Sequence, residues 1–257
     1  MRVKEGLPRE EVISKIMEKK EFSQIPKKDV ELVFDSFEGK DLILEERIKK
    51  TRDLLRKMYS VFVSDKLFKK KNESPEWFLK KHISTKERFE FYGELYGKIL
   101  KGGETIFDLG AGVNGFSFEY FPKGVKYVGV EAVGQLVNLM NYYFKTRGLE
   151  GGAVHESLFE LEKIKNILKQ GKGKTVVFLF KVLDSLEMLE RDYSKKLLSA
   201  IVPLVDSLVI SYATESLASK KKFFANRKWL REFISEEFML LEEFQLGGER
   251  YIVFSKK

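Results

Sequence analysis

The stretch Thr105-Ile-Phe-Asp-Leu-Gly-Ala-Gly-Val-Asn-Gly-Phe-Ser-Phe118 decides the fold. A short apolar strand runs into Asp108, and a glycine-rich turn with the spacing G-x-G-x-x-G follows at Gly110, Gly112 and Gly115. Glycine lets the backbone turn sharply and approach a ligand closely, so a strand, this turn and a helix together predict a nucleotide-like cofactor site. The glycine pattern alone is weak evidence, because such turns also occur where only tight packing is needed.

Glu131 is the second acidic residue whose position indicates a cofactor site. It ends the next apolar run, Lys126-Tyr-Val-Gly-Val130, where a carboxylate accepts hydrogen bonds from the hydroxyls of a ribose. A dinucleotide and S-adenosylmethionine both fit this pattern. Asp108 favours S-adenosylmethionine, because an acid two residues before the first glycine would repel a pyrophosphate but tolerates a sulfonium with an ammonium group.

Composition limits the chemistry. The chain has 257 residues, enough for one main domain and a smaller one. It has no cysteine and two histidines, so disulfides, thiolate zinc sites and a cysteine nucleophile are excluded and a metal site is not expected. No apolar run approaches the ~20 residues that span a bilayer, and the N-terminus lacks the apolar core of a signal peptide. We therefore expect a soluble, cytoplasmic protein.

The charge of the chain indicates a polyanionic partner. There are 47 basic and 39 acidic residues, a net charge of +8, and residues 1–81 alone carry 21 basic against 16 acidic residues. The N-terminal third is therefore the more basic part, as expected of a nucleic-acid-binding surface. A solvated helical surface explains the same lysines equally well.

Residues 1–81 read as a helical domain. Apolar residues recur at helical spacing over 8–37, with a break at Ile25-Pro26, and again over about 41–63. Ser74-Pro75-Glu76 has the order of an N-cap, a first-turn proline and a first-turn acid. Ser84 and Glu87 have the S-x-x-E spacing of a capping box, which predicts one helix from there to about residue 101.

Residues 82–257 alternate between strand and helix patterns. Strands are predicted at 126–130, 152–155, 175–180 and 207–210, and helices at 116–121, 132–145 and 158–169. This alternation is typical of a doubly wound parallel sheet. The end differs, because 238–246 and 250–254 flank Gly247-Gly248 as in an antiparallel hairpin. A dehydrogenase would continue with parallel units, so the hairpin favours a methyltransferase.

Four motifs in order resemble the ribosomal RNA methyltransferases that confer aminoglycoside resistance, the FmrO-like group that methylates guanine N7 in the decoding region of 16S rRNA. They are His82-Ile-Ser-Thr-Lys-Glu-Arg88, Asp108-Leu-Gly-Ala-Gly-Val-Asn114, Phe180-Lys-Val-Leu-Asp-Ser-Leu-Glu187 and Glu249-Arg-Tyr-Ile-Val-Phe254. The resemblance covers nearly the whole chain. It implies an α/β, Rossmann-like class I S-adenosylmethionine-dependent methyltransferase, with a seven-stranded sheet ending in an antiparallel hairpin and an N-terminal helical domain.

The resemblance also implies roles for individual residues. Arg88 is expected at the methionine carboxylate, Glu131 with Ala132 at the ribose, and Glu156, Ser157 and Leu158 beside the adenine. The cofactor loop contributes Asp108, Gly110, Ala111, Gly112 and Asn114. Phe180 is expected beside the methyl group, with Lys181 as the catalytic-site residue that orients the base through O6 or contacts a phosphate. No metal is expected, and the product of the cofactor is S-adenosylhomocysteine.

The implied partner is 16S rRNA or the 30S subunit, with residues 1–81 as the docking domain and 82–257 as the methyltransferase domain. Guanine N7 carries a free lone pair and no proton, so no general base is required. The chain departs from the family at Asp184, where the family has a proline, and over 211–222, where Glu215 and a lysine run replace an arginine and a glycine-rich stretch. Another RNA site or tRNA, and a non-catalytic cofactor-binding factor, remain as alternatives, with a dehydrogenase behind them.

Overall fold

The computed structural model describes residues 7–60, 71–214 and 227–257. Its centre is a seven-stranded sheet with the order β3-β2-β1-β4-β5-β7-β6. The strands are β1 (Thr105–Leu109), β2 (Lys126–Glu131), β3 (Gly151–His155), β4 (Thr175–Phe180), β5 (Ser207–Ala213), β6 (Met239–Leu246) and β7 (Glu249–Ser255).

The first five strands are parallel and the last two are not. β1 pairs with β2 on one side and β4 on the other, while β7 pairs antiparallel with β5 and β6. Every residue of β1 and β4 is buried, as expected for central strands covered by helices on both faces. From β1 the chain adds β2 and β3 toward one edge of the sheet, and then β4 and β5 toward the other edge. The order of strands therefore reverses between β1 and β4, which is where open α/β sheets bind ligands.

The described helices cover both faces of the sheet and form the N-terminal part. They are α1 (Arg9–Met17), α2 (Lys27–Asp35), α3 (Leu44–Leu55), α4 (Pro75–Lys81), α5 (Ile83–Arg88), α6 (Tyr92–Ile99), α7 (Gly134–Arg147), α8 (Leu161–Leu168), α9 (Leu183–Leu189), α10 (Tyr193–Ile201) and α11 (Lys228–Glu237). Within the described ranges, none of these helices is long and apolar enough to cross a membrane.

The predicted fold class is confirmed. Five parallel strands are followed by a β6–β7 hairpin whose turn is Gly247-Gly248, and Gly247 takes the left-handed φ of 58° that such a turn requires. The N-terminal part is helical, and α1, α2 and α3 bury their own apolar cluster. The assignment of residues 1–81 and 82–257 as separate domains stays a prediction, and Phe78 of α4 packs in the core beneath the sheet, 4.3 Å from the ring of Phe116.

Two N-terminal features agree with their sequence signals. α2 begins directly after Pro26, as the break at Ile25-Pro26 predicts. The Ser74 side chain accepts a hydrogen bond from the backbone N–H of Trp77 and so caps α4. The predicted helix over 41–63 begins at Leu44 and passes into a π-helical turn at Arg56–Ser60, and its last residues lie outside the described ranges.

The prediction of a capping box at Ser84 and Glu87 is wrong. α5 already begins at Ile83, the Ser84 hydroxyl lies 2.9 Å from Nδ1 of His82, and Glu87 binds the Lys181 ammonium at 2.6 Å. An ionic hydrogen bond to a distant side chain outweighs a local backbone cap. The predicted helix to residue 101 is also broken, by a 3₁₀ turn at Phe89–Phe91.

Two further helix predictions need correction. The segment after the glycine turn is a 3₁₀ helix, Asn114–Tyr120, and not an α-helix over 116–121. The helix predicted from residue 158 begins at Leu161, because the Ser157 hydroxyl accepts a hydrogen bond from the backbone N–H of Phe159 and holds a turn there.

Candidate cofactor site

A cavity of about 250 Å³ opens at the carboxyl ends of β1, β2 and β4. The glycine loop, the segments after β2, β3 and β4, and side chains of the N-terminal helical part surround it. The lining residues are Asp29, Met58, Tyr59, His82, Ser84, Gly110, Gly112, Glu131, Ala132, Val133, Leu136, Leu158, Phe159, Phe180, Lys181, Val182, Asp184, Ser185, Leu186 and Ala213.

The glycine loop forms one wall of this cavity. Gly110 and Gly112 have left-handed φ values of 75° and 54°. A Cβ atom at Gly110 would lie 2.6 Å from Cγ2 of Val182, so both the backbone conformation and the neighbouring side chain require glycine there. The backbone N–H groups of Gly110 and Ala111 donate to the Val130 carbonyl, at 2.8 and 3.1 Å, and fix the loop against the end of β2.

Glu131 lies at the end of β2 and lines the cavity. Its Oε2 accepts a hydrogen bond from the Gly112 backbone N–H and its Oε1 from that of Val133, both at 2.8 Å. Burial raises the pKa of this carboxyl, and the two N–H groups oppose that rise. Because each carboxylate oxygen can accept a second hydrogen bond, Glu131 is held in place and still has acceptor capacity for a ligand.

Asp108 lies beneath the loop and not on the cavity wall. Its Oδ2 accepts hydrogen bonds from Nδ2 of Asn114 and from the Tyr127 hydroxyl, both at 2.8 Å. Burial raises the pKa of Asp108, against the effect of these two hydrogen bonds. The acid that the sequence places near the cofactor thus supports the loop from behind, through Asn114.

Arg88 is also behind the wall. Its Nη2 lies 2.9 Å from Oε1 of Glu249, its Nη1 donates to Oδ1 of Asn114 at 3.1 Å, and its Nε donates to the Tyr251 hydroxyl at 3.2 Å. Only 3% of Arg88 is exposed. Burial acts to raise the pKa of Glu249, but Arg88 and Lys181 hold it below its usual value. The guanidinium is therefore already occupied by a buried carboxylate.

Lys181 reaches the cavity from the end of β4. Its φ of 59° is left-handed, which is uncommon for a residue with a side chain. The ammonium lies 2.6 Å from Oε2 of Glu87 and 3.5 Å from Oε2 of Glu249. Its positive charge is thus balanced by two carboxylates at this end of the cavity.

The predicted site residues divide into two groups. Those that line the cavity are Gly110, Gly112, Glu131, Ala132, Leu158, Phe180 and Lys181. Those that lie outside its lining are Arg88, Asp108, Ala111, Asn114, Glu156 and Ser157. Glu156 instead pairs with Lys163 at 3.3 Å. In the described ranges no group of three or more acidic or histidine side chains could hold a metal ion.

Several lining residues carry no local sequence signal for this role. Asp29, Met58 and Tyr59 belong to the N-terminal helical part, more than 40 residues before the glycine turn, and only the folded chain brings them to the cavity.

His82 also lines the cavity, and it belongs to a motif identified from the sequence. Burial lowers its pKa to about 4, with the charges of Arg88 and Lys181 as secondary causes, so His82 is neutral at physiological pH.

Comparison with solved structures gives full-length matches. The 16S rRNA methyltransferase RmtF in complex with S-adenosyl-L-homocysteine matches with a TM-score of 0.80 and 16% identity, covering 98% of this chain and all of that one. The 16S rRNA methylase RmtB and an rRNA methylase from Escherichia coli both match with a TM-score of 0.78, at 16% and 17% identity. They cover 96% of this chain and 98% and 99% of their own chains.

This chain has the fold of 16S rRNA methyltransferases. The likeness extends over the N-terminal helical part as well as the sheet, because nearly all of each chain is covered. The resemblance predicted from four sequence motifs is therefore confirmed at the level of the fold. No protein-family model and no curated protein matches the sequence.

Arg88→Met tests whether this arginine supports the fold. Removing one partner of a buried ion pair costs about 3–5 kcal/mol, whereas apolar replacement of both is much better tolerated. We expect Arg88→Met to lower the free energy of unfolding by about that amount in urea denaturation, and the double variant with Glu249→Leu to recover part of it. A single variant of wild-type stability that loses cofactor affinity would instead show that Arg88 contacts the ligand.

The pH dependence of stability provides a test for His82. Its folded pKa of about 4 lies below the ordinary value of 6.5, so between these pH values the unfolded chain binds the proton that the folded protein excludes. Stability contributed by the neutral His82 is present above pH 6.5 and is lost as the pH falls toward 4, by up to about 3 kcal/mol.

The measurement is the unfolding free energy between pH 4 and 7 for wild type and His82→Gln. The difference between the two profiles isolates His82 from the carboxyl groups that titrate nearby. His155→Gln, at an exposed position, is the matched control for removal of a histidine. Parallel profiles for wild type and His82→Gln would refute the buried neutral state.

Proposed function

We propose that this protein is an S-adenosylmethionine-dependent rRNA methyltransferase that acts on 16S rRNA of the small ribosomal subunit, at guanine N7 in the decoding region. One observation carries the proposal. A cavity bounded by the glycine loop and Glu131 lies at the switch point of a fold that matches, over 98% of the chain, a 16S rRNA methyltransferase in complex with S-adenosyl-L-homocysteine.

The chemistry of the cavity fits this cofactor. Glu131 retains acceptor capacity for the ribose hydroxyls, and the apolar side chains of Leu136, Leu158 and Phe159 suit the faces of an adenine ring. Gly110 and Gly112 let the loop approach the ligand closely. The carboxylate of Asp108 beneath the loop adds negative charge, which favours a cationic ligand over a pyrophosphate.

We propose that the glycine loop and Arg88 have different roles at the methionine end of the cofactor. The backbone of the glycine loop holds the amino-acid part, while Arg88 acts as a positioning residue. It fixes Asn114 behind the loop at 3.1 Å and Glu249 beside Lys181 at 2.9 Å. Arg88 is 3% exposed and does not line the cavity, so it is placed behind the methionine end and not in contact with the methionine carboxylate.

The reaction needs alignment more than acid–base catalysis. When bound, the sulfonium supplies an electrophilic methyl group, and guanine N7 offers a lone pair without a proton. Correct orientation alone contributes roughly 7–11 kcal/mol to such a displacement. Because N7 has no proton to remove, the reaction requires no base, and His82, which is buried and hydrogen-bonded to Ser84, has no acid–base role in this proposal.

Lys181 is proposed to orient the guanine through O6 or to contact a phosphate. A bare ammonium would oppose the positive charge that develops on the ring during methylation. Glu87 and Glu249, at 2.6 and 3.5 Å from Nζ, offset that charge while leaving Lys181 able to donate a hydrogen bond. The ion pairs therefore remove the main electrostatic objection to a lysine in this position.

The N-terminal helices and their basic side chains are proposed to dock on the small subunit, in the cytoplasm. The departures at Asp184 and over 211–222 concern the substrate side, and residues 215–226 lie outside the described ranges. Asp184 lines the cavity and pairs with Arg227.

The decisive experiment is methylation with labelled S-adenosylmethionine. We expect label on 16S rRNA in 30S subunits, recovered as 7-methylguanosine and mapped by primer extension to a decoding-region guanine. Free 16S rRNA and tRNA are incubated in parallel. Label at another position or in tRNA would keep the enzyme and refute the target, and cofactor binding without label on any RNA would refute turnover on these substrates.

The variants Glu131→Gln and Lys181→Met test the cofactor-binding part and the substrate-binding part of the site separately. Glu131→Gln should weaken S-adenosylhomocysteine binding about tenfold or more, because hydrogen bonds to a charged acceptor contribute ~1.5–3 kcal/mol. Lys181→Met should leave that affinity within about threefold and lower the methylation rate on 30S subunits at least tenfold. Calorimetric titration and single-turnover rates measure the two. Equal loss of affinity in both variants would contradict the assignment of Lys181 to the substrate.

A further inference from the structure

Asp184 is an exposed carboxylate on the wall of the cofactor cavity. It lies in the first turn of α9, three residues after Lys181, and it lines the cavity with 64% of its side chain exposed. Its Oδ2 accepts a hydrogen bond from Nη2 of Arg227, which is the one hydrogen bond of this carboxyl among the described residues. Because each carboxylate oxygen can accept two hydrogen bonds, a molecule in the cavity can still donate to both oxygens.

Arg227 fixes the orientation of this carboxylate. It directly precedes α11, 10% of its side chain is exposed, and its Cζ lies 4.9 Å from the centroid of the Tyr212 ring. Tyr212 belongs to β5, which pairs with β4 in the sheet. An ion pair with a guanidinium that is itself packed on an aromatic ring favours the charged form of Asp184 and limits its rotation.

Asp184 lies on the side of the cavity away from the ribose position. Lys181 and Asp184 follow β4, and Ala213, at the end of β5, lines the same side. Glu131 lines the cavity from the end of β2, and β1 lies between β2 and β4 in the sheet. With the ribose at Glu131 and the methyl group beside Phe180, as in the proposed function, Asp184 lies on the side left for the acceptor base.

The edge of a guanine base matches the two charged residues on this side. O6 lies next to N7, and N1–H and the 2-amino group follow O6 around the ring. With N7 at the methyl group, O6 needs a donor and the two N–H groups need an acceptor. Lys181 is the proposed donor to O6. We propose, on the basis of the proposed function, that Asp184 recognises the target guanine by accepting hydrogen bonds from its N1–H and 2-amino groups.

The same pair of residues would reject adenine. Adenine carries an amino group in place of O6, which would meet the Lys181 ammonium. Its N1 has a lone pair and no proton, which would meet the Asp184 carboxylate. Donor would thus face donor and acceptor would face acceptor, and such mismatched contacts are an effective source of specificity.

The contact would also assist the reaction. Positive charge develops on the guanine ring as the methyl group arrives, so N1–H becomes a stronger donor and its hydrogen bond to a carboxylate strengthens in the transition state. Asp184 should therefore affect the rate of methyl transfer as well as the choice of base. The resembling family has a proline here, whose side chain accepts no hydrogen bond, so this contact would be a feature of this chain.

The test combines two substrates with two enzymes. Inosine, which lacks only the 2-amino group, replaces the guanine mapped by primer extension, in 16S rRNA ligated from synthetic and transcribed pieces and reconstituted into 30S subunits. Wild type should methylate inosine about tenfold or more slower than guanine in single-turnover assays, because a hydrogen bond to a charged acceptor is lost. Any effect of inosine on the RNA itself is common to both enzymes and cancels in the comparison.

Asp184→Asn should abolish this preference. Its amide keeps the size of the side chain but presents an N–H group where two acceptors are needed. We expect Asp184→Asn to methylate guanine about tenfold or more slower than wild type, and to methylate guanine and inosine at rates within about threefold of each other.

Asp192→Asn is the matched control. Asp192 is an exposed acid that pairs with Lys195 at 3.0 Å and does not line the cavity, and its left-handed φ of 62° suits asparagine. This variant should keep the wild-type rate and preference. Because loss of Asp184 leaves Arg227 unpaired, Asp184→Asn is also made in the Arg227→Met background and compared with Arg227→Met alone. Melting temperatures verify that each variant is folded.

The outcomes separate this proposal from the methyltransferase assignment on which it rests. Loss of the preference in both Asp184 variants, with unchanged affinity for S-adenosylhomocysteine, supports the role of Asp184. Equal rates on guanine and inosine for wild type, or the wild-type preference in the Asp184 variants, overturn that role and leave the enzyme standing. Loss of cofactor affinity that accounts for the loss of rate also overturns it, and assigns Asp184 to the cofactor. Absence of 7-methylguanosine from every RNA with wild type overturns both proposals.

Discussion

The buried ion pair between Arg88 and Glu249 is the interaction on which the site depends. It joins α5 to the first residue of β7, and the same guanidinium donates to Asn114 behind the glycine loop. Asn114 in turn donates to Asp108 at the end of β1. One arginine thus connects a helix, the C-terminal hairpin and the cofactor loop. Because a buried charge without its partner is costly, loss of either Arg88 or Glu249 is expected to destabilise the packing of these elements on one another.

The same network sets the charge at the carboxyl end of β4. Glu249 faces both Arg88 and Lys181, and Glu87 faces Lys181 from the helix that carries Arg88. Two cations and two carboxylates therefore share one region, with His82 held neutral beside them. This balance keeps the local potential low, which suits a reaction in which positive charge leaves a sulfonium and appears on the acceptor base.

The N-terminal helices have a second role in this arrangement. They bury an apolar cluster of their own, and they also send Asp29, Met58 and Tyr59 to the cofactor cavity. Residues of the N-terminal helices therefore line the same cavity as the glycine loop.

The sequence alone determined the sheet, the glycine turn, the hairpin and the acid at position 131, because each depends on neighbouring residues and on the period of apolar side chains. It could not determine which residues of a motif face the cavity. The partner of Arg88 is 161 residues away, and an ionic contact across 94 residues draws Glu87 from the predicted capping box to Lys181. Asp29 reaches the site only through packing of the N-terminal helices. Such long-range pairings arise from the folded chain, and no local pattern encodes them.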